Sequence, residues 1–464
     1  MPSPSYAFRP ASRVPSPARP ASADAASPPA AGQSKGCPAA KFTGDAKVLF
    51  DPAVISRFSK IVRASKPAGS GDPYRLMVVV VPDGKRVVLR LLDEAGSPFA
   101  SLRVDAVDQV VPGSLAMTRE EFLGLPTDNG VVAISRSDGK YSVASDSKKL
   151  NLQGVDPVTA SKACAAWKNS GVDDYNPGAF CRLGSVRPDH LKAALLTVSD
   201  ASSRYAISGV LVRPGPDSLS LVSTDGRRLS VFKIPTLTKE MNPAPAVIID
   251  RVPAALAARF MPGVFKVDAM CIVKGTPTMF RCLDGDLTVY GKVVEGSFPP
   301  YESVIPKDTD TTCTCALSVD RDKDFRAAAK NTSKDAQFCL FSFSAASKDS
   351  VVLKTRPLSG GWQISAASKD SVVLKTRPLS GEWQSSINLA APFEILPNVS
   401  EIKDTFEISF NPAFIADVLD QANAIGAGRV VVRMAKKTKP AAFLSDGTDA
   451  SLVSVVMPVN WDHS

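Results

Sequence analysis

Bond-making chemistry needs a nucleophile, a base and a group that orients the base, and this chain offers few of them. It holds two histidines, His190 and His463, so it cannot build a multi-histidine metal cage and has little from which to assemble a serine triad. Cys313 and Cys315 have the spacing of two metal ligands, but no second pair and no nearby histidine completes a site. His190 falls on a helical stretch near Lys192 and reads as a surface or packing residue. There is no GxxxxGK[ST] loop, and Asp83-Gly84-Lys85 reads as a hairpin turn. The expectation is a non-catalytic protein with no cofactor and no metal. A hydrolase or transferase reading finds no residues to carry it.

What the chain does supply is positive charge at helical spacing. Arg57, Lys60 and Arg63 lie away from an apolar stripe, with Lys66 just beyond; Arg326, Lys330 and Lys334 recur at i, i+4 and i+8; Arg251 precedes a short helix. Lysine and arginine number 55 against 46 acidic residues, a net charge of +9, which permits a polyanion partner without demanding one. Such faces suit contacts to phosphate, which hold nucleic acid without reading its sequence. They equally suit the solvated side of a surface helix.

The elements that must position these residues are mostly strands. Short β-rich runs such as Met77–Val81, Val87–Leu92, Ser218–Val222 and Arg429–Arg433 alternate with Gly, Asp and Pro turns. Helix starts are marked by Asp51-Pro52 with Val54, Phe58, Ile61 and Val62 on one face, by Pro188, by a run from Arg321, and by a Thr118/Glu121 capping box. Two more are marked by Pro253 and by Asn411-Pro412. These starts recur at intervals of about 135 residues once a tandem duplication near 344–384 is subtracted, so the chain reads as three copies of one unit. In the duplication, Ser344–Gln363 and Ser365–Gln384 are nearly identical; one copy suffices for the third unit, and the other is expected as an extra hairpin without assigned function.

The expected organisation is therefore a Pro/Ala/Ser-rich tail at 1–42, then three α+β domains at 43–157, 158–307 and 308–464, with helices packed on one side of antiparallel sheet. The tail holds nine of the 37 prolines, which marks it as disordered, and its Arg and Ser content with few acids also allows an organellar transit peptide. Eight scattered cysteines without a secretory leader suggest reduced thiols inside a cell, and no apolar run approaches membrane-spanning length.

Three stretches resemble the bacterial sliding clamp, the beta subunit of DNA polymerase III. Arg204–Val212 followed by Leu221–Leu229 is similar to that family's strand pair with its Thr-Asp-Gly-x-Arg-Leu signature. Val294–Tyr301 with Val304–Pro306 resembles its Gly-x-Phe-Pro-x-Tyr segment, and Phe410–Pro412 with Val455–Val459 resembles its last helix and chain end. The motifs span about 186–460; residues 43–157 match only in element placement. The resemblance implies three similar domains, two subunits closed head to tail as a homodimeric ring, sheets outside and helices lining the hole. Double-stranded DNA would pass through that hole against Arg57, Lys60, Arg63, Arg251, Arg326 and Lys330.

A partner-peptide cleft is implied at Arg204, Ile207, Thr224, Gly226, Arg228, Leu229, Pro299, Val304, Val455, Met457 and Pro458. It would serve a DNA polymerase catalytic subunit, a clamp loader and other proteins with clamp-binding motifs, in the cytoplasm at the nucleoid. Ala206, Ser303 and Asn460 depart from the family's usual residues. The alternative is a scaffold of the same fold that binds proteins but does not encircle DNA.

Overall fold

The computed structural model describes residues 42, 44–65, 76–83, 86–105, 107–111, 113–128, 130–169, 180–199, 205–236, 244–270, 277–311, 313–319, 336–343, 351–357, 372–376, 385–389, 394–395 and 406–459, all within one compact unit, Cys37–Ser464. Of the expected tail only Phe42 is described, and it is buried in a core cluster rather than part of a free tail; the helix expected from Arg321 lies outside the described residues.

Helix α1 spans Pro52–Ala64. Asp51 accepts from the Ala53 N–H at 2.8 Å, and Pro52 sits where a missing N–H costs nothing. Ile55, Phe58, Ile61 and Val62 are buried, and each such side chain contributes about 1.5–3 kcal/mol. Helix α2, Arg119–Leu123, carries the expected capping box: Glu121 N–H donates to the Thr118 hydroxyl at 3.2 Å while Thr118 N–H donates to the Glu121 carboxylate at 2.9 Å.

Helix α3, Pro157–Asn169, is an addition to the sequence reading, which placed a boundary there. Its signals are local: Asp156 accepts from Thr159 N–H at 2.9 Å ahead of Pro157, and Ala160, Ala163, Cys164 and Trp167 follow at i, i+3, i+4 and i+7 and are buried. Helix α4 is Pro188–Leu195 and α5 is Arg251–Phe260. Arg251 opens α5 rather than preceding it, because Asp250 accepts from Val252 N–H at 2.9 Å and caps the helix. Pro253 then falls in the first turn, where no N–H has an intrahelical acceptor. Helix α6, Pro412–Ala424, is capped by Asn411.

The strands form sheets that pass from one repeat unit into the next. A five-stranded sheet runs Asp108–Val111, Ala46–Phe50, Val132–Ser137, Lys140–Ala144, Lys149–Leu152. In an eight-stranded sheet, Phe180–Val186, Phe265–Met270, Met279–Asp284 and Leu287–Lys292 continue into Pro98–Asp105, Arg86–Leu92, Met77–Asp83 and Leu115–Thr118. The join is antiparallel, with Leu287 opposite Leu102 and Val289 opposite Ala100.

A nine-stranded sheet makes the second join. Val247–Asp250, Gly209–Pro214, Ser218–Thr224 and Arg228–Pro235 continue into Ser451–Val456, Ala441–Asp446, Arg429–Met434, Cys313–Ser318 and Glu394–Ile395. Here Leu229 is opposite Val455 and Val231 opposite Val453.

The two repeat copies pair differently. Val351–Pro357 of the first joins Ala336–Phe343 and Phe406–Phe410 in a three-stranded sheet, whereas Val372–Thr376 of the second pairs with Ser385–Leu389 in a sheet of two.

The main core lies between the sheets and α1, α2, α4, α5 and α6. The opposite faces of the two shared sheets carry separate apolar clusters. On the eight-stranded sheet, α3 seats Trp167 against Tyr290, with Met77, Val79 and Val81 beneath. On the nine-stranded sheet, the chain from Val294 to Ile305 covers Leu211, Val231 and Ile248.

Candidate functional site

The second join leaves a cleft open on its outer face. Its shape begins in the turn between Ser218–Thr224 and Arg228–Pro235. Asp225 accepts from the N–H groups of Arg227 at 2.9 Å and Arg228 at 3.0 Å, while the Thr224 hydroxyl donates to Arg228 O at 2.6 Å and accepts from Gly226 N–H at 3.1 Å. Gly226 has φ +87°, a conformation that L side chains rarely adopt. The turn sets Leu229 beside Val455 on the cleft floor, and Met457 extends the register by donating its N–H to Arg227 O at 2.9 Å.

The far wall is the one-turn helix Tyr301–Val304 and the Pro299-Pro300 step before it. Tyr301 is fixed by an edge contact to Phe298 at 6.2 Å and by the Arg213 guanidinium 5.4 Å above its ring. Burial pushes the Tyr301 phenol up, so it stays protonated at neutral pH and can donate. The enclosed volume is about 530 Å3, within the ~300–1,000 Å3 of typical ligand sites. Val304 is 48% exposed and Met457 43% exposed, so large apolar side chains face an empty groove.

Of the cleft residues expected from sequence, Ile207, Thr224, Gly226, Arg228, Leu229, Pro299, Val304, Val455 and Met457 line this one space. Pro458 is half-buried beside Met457 but off the wall, and Arg204 lies outside the described residues. Ala206, one of the expected departures from the family's usual residues, also lines it, as do Arg227, Pro300 and Tyr301, which were not anticipated. Tyr301 was legible, since it ends the Phe298-Pro299-Pro300-Tyr301 run. Ser303 is exposed, its hydroxyl donating to Pro300 O at 2.8 Å.

Arg228 belongs to the cleft and to the core at once. Its guanidinium donates to Asp225 at 2.9 Å and to Leu196 O at 2.7 Å, pairs with Asp417 of α6, and lies 4.3 Å over the Phe414 ring. It thus holds together chain segments that are far apart in sequence.

The basic helix residues are placed unevenly. Arg57, Lys60 and Arg63 are exposed on the face of α1 opposite its buried stripe. Arg251 is exposed at the start of α5, and Arg259, unanticipated, is exposed in its last turn. Arg326 and Lys330 lie outside the described residues. Helix α6 has neither Lys nor Arg and carries Asp417 and Asp420.

His190 is a packing residue. It is buried on α4, with Nε2 3.3 Å from Asp449, which also pairs with Arg187. Burial lowers the His190 pKa more than Asp449 raises it. Partial burial alone would raise the Asp449 pKa, but the Arg187 and His190 contacts carry it below the usual value.

No family model matches the chain. The beta sliding clamp of Escherichia coli (strain K12) is 27% identical over 212 residues, covering 45% of this chain and 54% of the relative. That of Caulobacter vibrioides (strain NA1000 / CB15N) is 24% identical over 266 residues, covering 56% and 60%. That of Pseudomonas putida is 33% identical over 139 residues, covering 30% and 37%. The chain thus spans about half the length of the curated relatives it matches.

Among solved structures, the C. crescentus beta sliding clamp superposes with a TM-score of 0.64 at 18% identity, covering 90% of this chain and 100% of the other. The Pseudomonas aeruginosa sliding clamp bound to griselimycin gives 0.64 at 17%, with the same coverage. The H. pylori beta clamp in complex with diflunisal gives 0.66 at 14%, covering 89% and 100%. With the sheets continuous across both joins and sequence similarity to several bacterial clamps, the chain is a divergent member of the sliding-clamp family and has that family's fold.

Proposed function

We propose that this chain is a DNA sliding clamp: two copies close into a ring around duplex DNA, and the cleft at the second join tethers a replicative polymerase and other partners by short peptides. The observation that carries the reading is the cleft itself, a groove of about 530 Å3 walled by Leu229, Val455, Tyr301 and the exposed Val304 and Met457. An apolar groove with a flexible methionine suits linear peptides from several proteins, because Met repacks around different side chains. The exposed cations of α1 and α5 supply the diffuse phosphate contact that sliding requires.

On this reading the protein makes and breaks no bonds. It works at nucleoid DNA in the cytoplasm and depends on a separate clamp loader to be placed on DNA; an organellar address carried by residues 1–42 is the minor alternative. The three domains proposed are 43–157, 158–307 and 308–464. Among the described residues no helix is long and apolar enough to cross a membrane.

A topological tether differs from an electrostatic one in its response to salt and to DNA ends. Loaded protein is expected to stay on nicked circular DNA at 1 M salt, where ionic contacts are screened to about 3 Å, and to leave once the circle is cut. Loss from circular and linear DNA at the same salt would overturn the encircling reading. The acidic, cation-free α6 favours the second reading, a non-encircling scaffold that keeps the peptide cleft.

A further inference from the structure

At the first join helix α3 covers the outer face, and an opening lies on the helix side. A cavity of about 230 Å3 lies between the C-cap of α1 at Ser65, the first turns of α5 and the start of the Pro98–Asp105 strand. At the second join the matching positions are bridged by Arg228, which contacts Leu196 O, Asp417 and the Phe414 ring. There the first residue of the strand is Arg228, the C-cap of α4 is Leu196, and the third and sixth residues of α6 are Phe414 and Asp417. At the cavity the same places are taken by Pro98, Ser65, Pro253 and Leu256.

The arginine is missing at the first join, but carboxylates remain. Asp93 accepts from Ser97 N–H at 2.7 Å, as Asp225 accepts from Arg228 N–H at 3.0 Å, yet among the described residues Asp93 has no cation to pair with. Asp250, the half-buried cap of α5, also lines the cavity and, among the described residues, accepts only the Val252 N–H. Burial raises the Asp250 pKa, as expected of a carboxylate short of compensating charge. Lys292 stands exposed at the rim and forms no ion pair with either acid.

We propose that this cavity is a socket for an arginine side chain of a partner peptide, its guanidinium against Asp250 and Asp93 and its stem on Leu256 and Pro253. A volume below the ~300 Å3 of drug-sized sites suits one side chain. Arginine fits better than lysine because its planar head is weakly hydrated and can bridge two carboxylates. The molecule itself supplies a partial template: at the other join Arg228 lies against the matching strand start and helix C-cap with Asp225 in the place of Asp93, while Leu256 stands where Asp417 does and the second acid is the helix cap Asp250.

The test uses the full chain with labelled Leu and Met methyls and two probes, N-acetyl-arginine amide and its neutral isostere N-acetyl-citrulline amide. The arginine probe should shift the Leu256 and Met279 methyls saturably, with citrulline about tenfold weaker or worse, as expected when a charge-assisted contact is lost. Asp250→Asn keeps a good helix cap and should weaken the arginine probe about tenfold. Lys292→Ala should leave its affinity unchanged or tighten it. Equal binding of both probes, no saturable shift, or full affinity in the Asp250→Asn protein would overturn the proposal. Neither DNA nor the outer cleft enters the measurement, so its failure would leave the clamp reading untouched.

Discussion

The two joins between repeat units are built alike and finished differently. In each, the last strand of one unit pairs with a middle strand of the unit before it. At the first, α3 lies across the outer face and buries Trp167, which meets Tyr290 edge-on at 5.3 Å and lies 5.0 Å from the Arg90 guanidinium. Gly96 shows how close that helix sits: a Cβ there would come within 2.5 Å of Ala163 O. At the second, an extended chain replaces the helix and stops short, leaving Val304 and Met457 uncovered. Inside, the pattern reverses. Arg228 occupies the strand-start position at the second join, and a cavity lies beside that position at the first. A shared frame can therefore be closed on one side and receptive on the other by changing only what crosses it.

The sharpest way to break this contrast is to unseat α3. Trp167→Ala should cost about 3–5 kcal/mol in denaturant unfolding, the usual range for a fully buried large aromatic. A loss under ~1 kcal/mol would mean that the helix does not seal the join. The corresponding change at the second join should spare the fold. Met457→Ala combined with Val304→Ala trims two side chains that are nearly half exposed and outside the core clusters, so stability should move by less than ~1 kcal/mol. Affinity for a clamp-binding peptide of the cognate polymerase should nevertheless fall about tenfold or more by calorimetry, since each truncated contact residue costs on the order of 1 kcal/mol.

The smallest effect sharpens the comparison through pH. His190 at the second join has a folded pKa below its ordinary value, so the unfolded chain binds the proton more readily. Stability should therefore decline as pH falls below about 6.5, and His190→Asn should remove that part of the slope in thermal unfolding at pH 7.5 and 5.5. An unchanged slope would show that His190 does not titrate on unfolding.

Local signals were the ones that sequence made readable. Asp51-Pro52, Thr118 with Glu121, and Asn411-Pro412 each mark a helix start because the cap is made by neighbours in the chain. Asp156-Pro157 carried the same mark with an apolar stripe behind it. Alanine and cysteine give that stripe little contrast, and the threefold spacing places a boundary there, so the helix is hard to see in the sequence.

The cleft was legible only through family motifs. Nothing in spacing shows that Leu229 will lie opposite Val455, or that Arg228 will reach Asp417, since both depend on pairing between distant strands and helices. The Arg228 socket and its empty counterpart were illegible for the same reason. They appear only when two joins of one molecule are laid side by side.

Continuous sheets also decide how this molecule can be cut. Severing the chain near residue 307 would strip Arg228–Pro235 and Ser451–Val456 of one neighbour each and turn both into sheet edges with a row of unpaired N–H and C=O groups. Fragments of this kind invite aggregation with one another. The repeat is thus a unit of sequence but not of independent folding: each copy borrows an edge from the next, and modularity in this protein ends at the hydrogen bond.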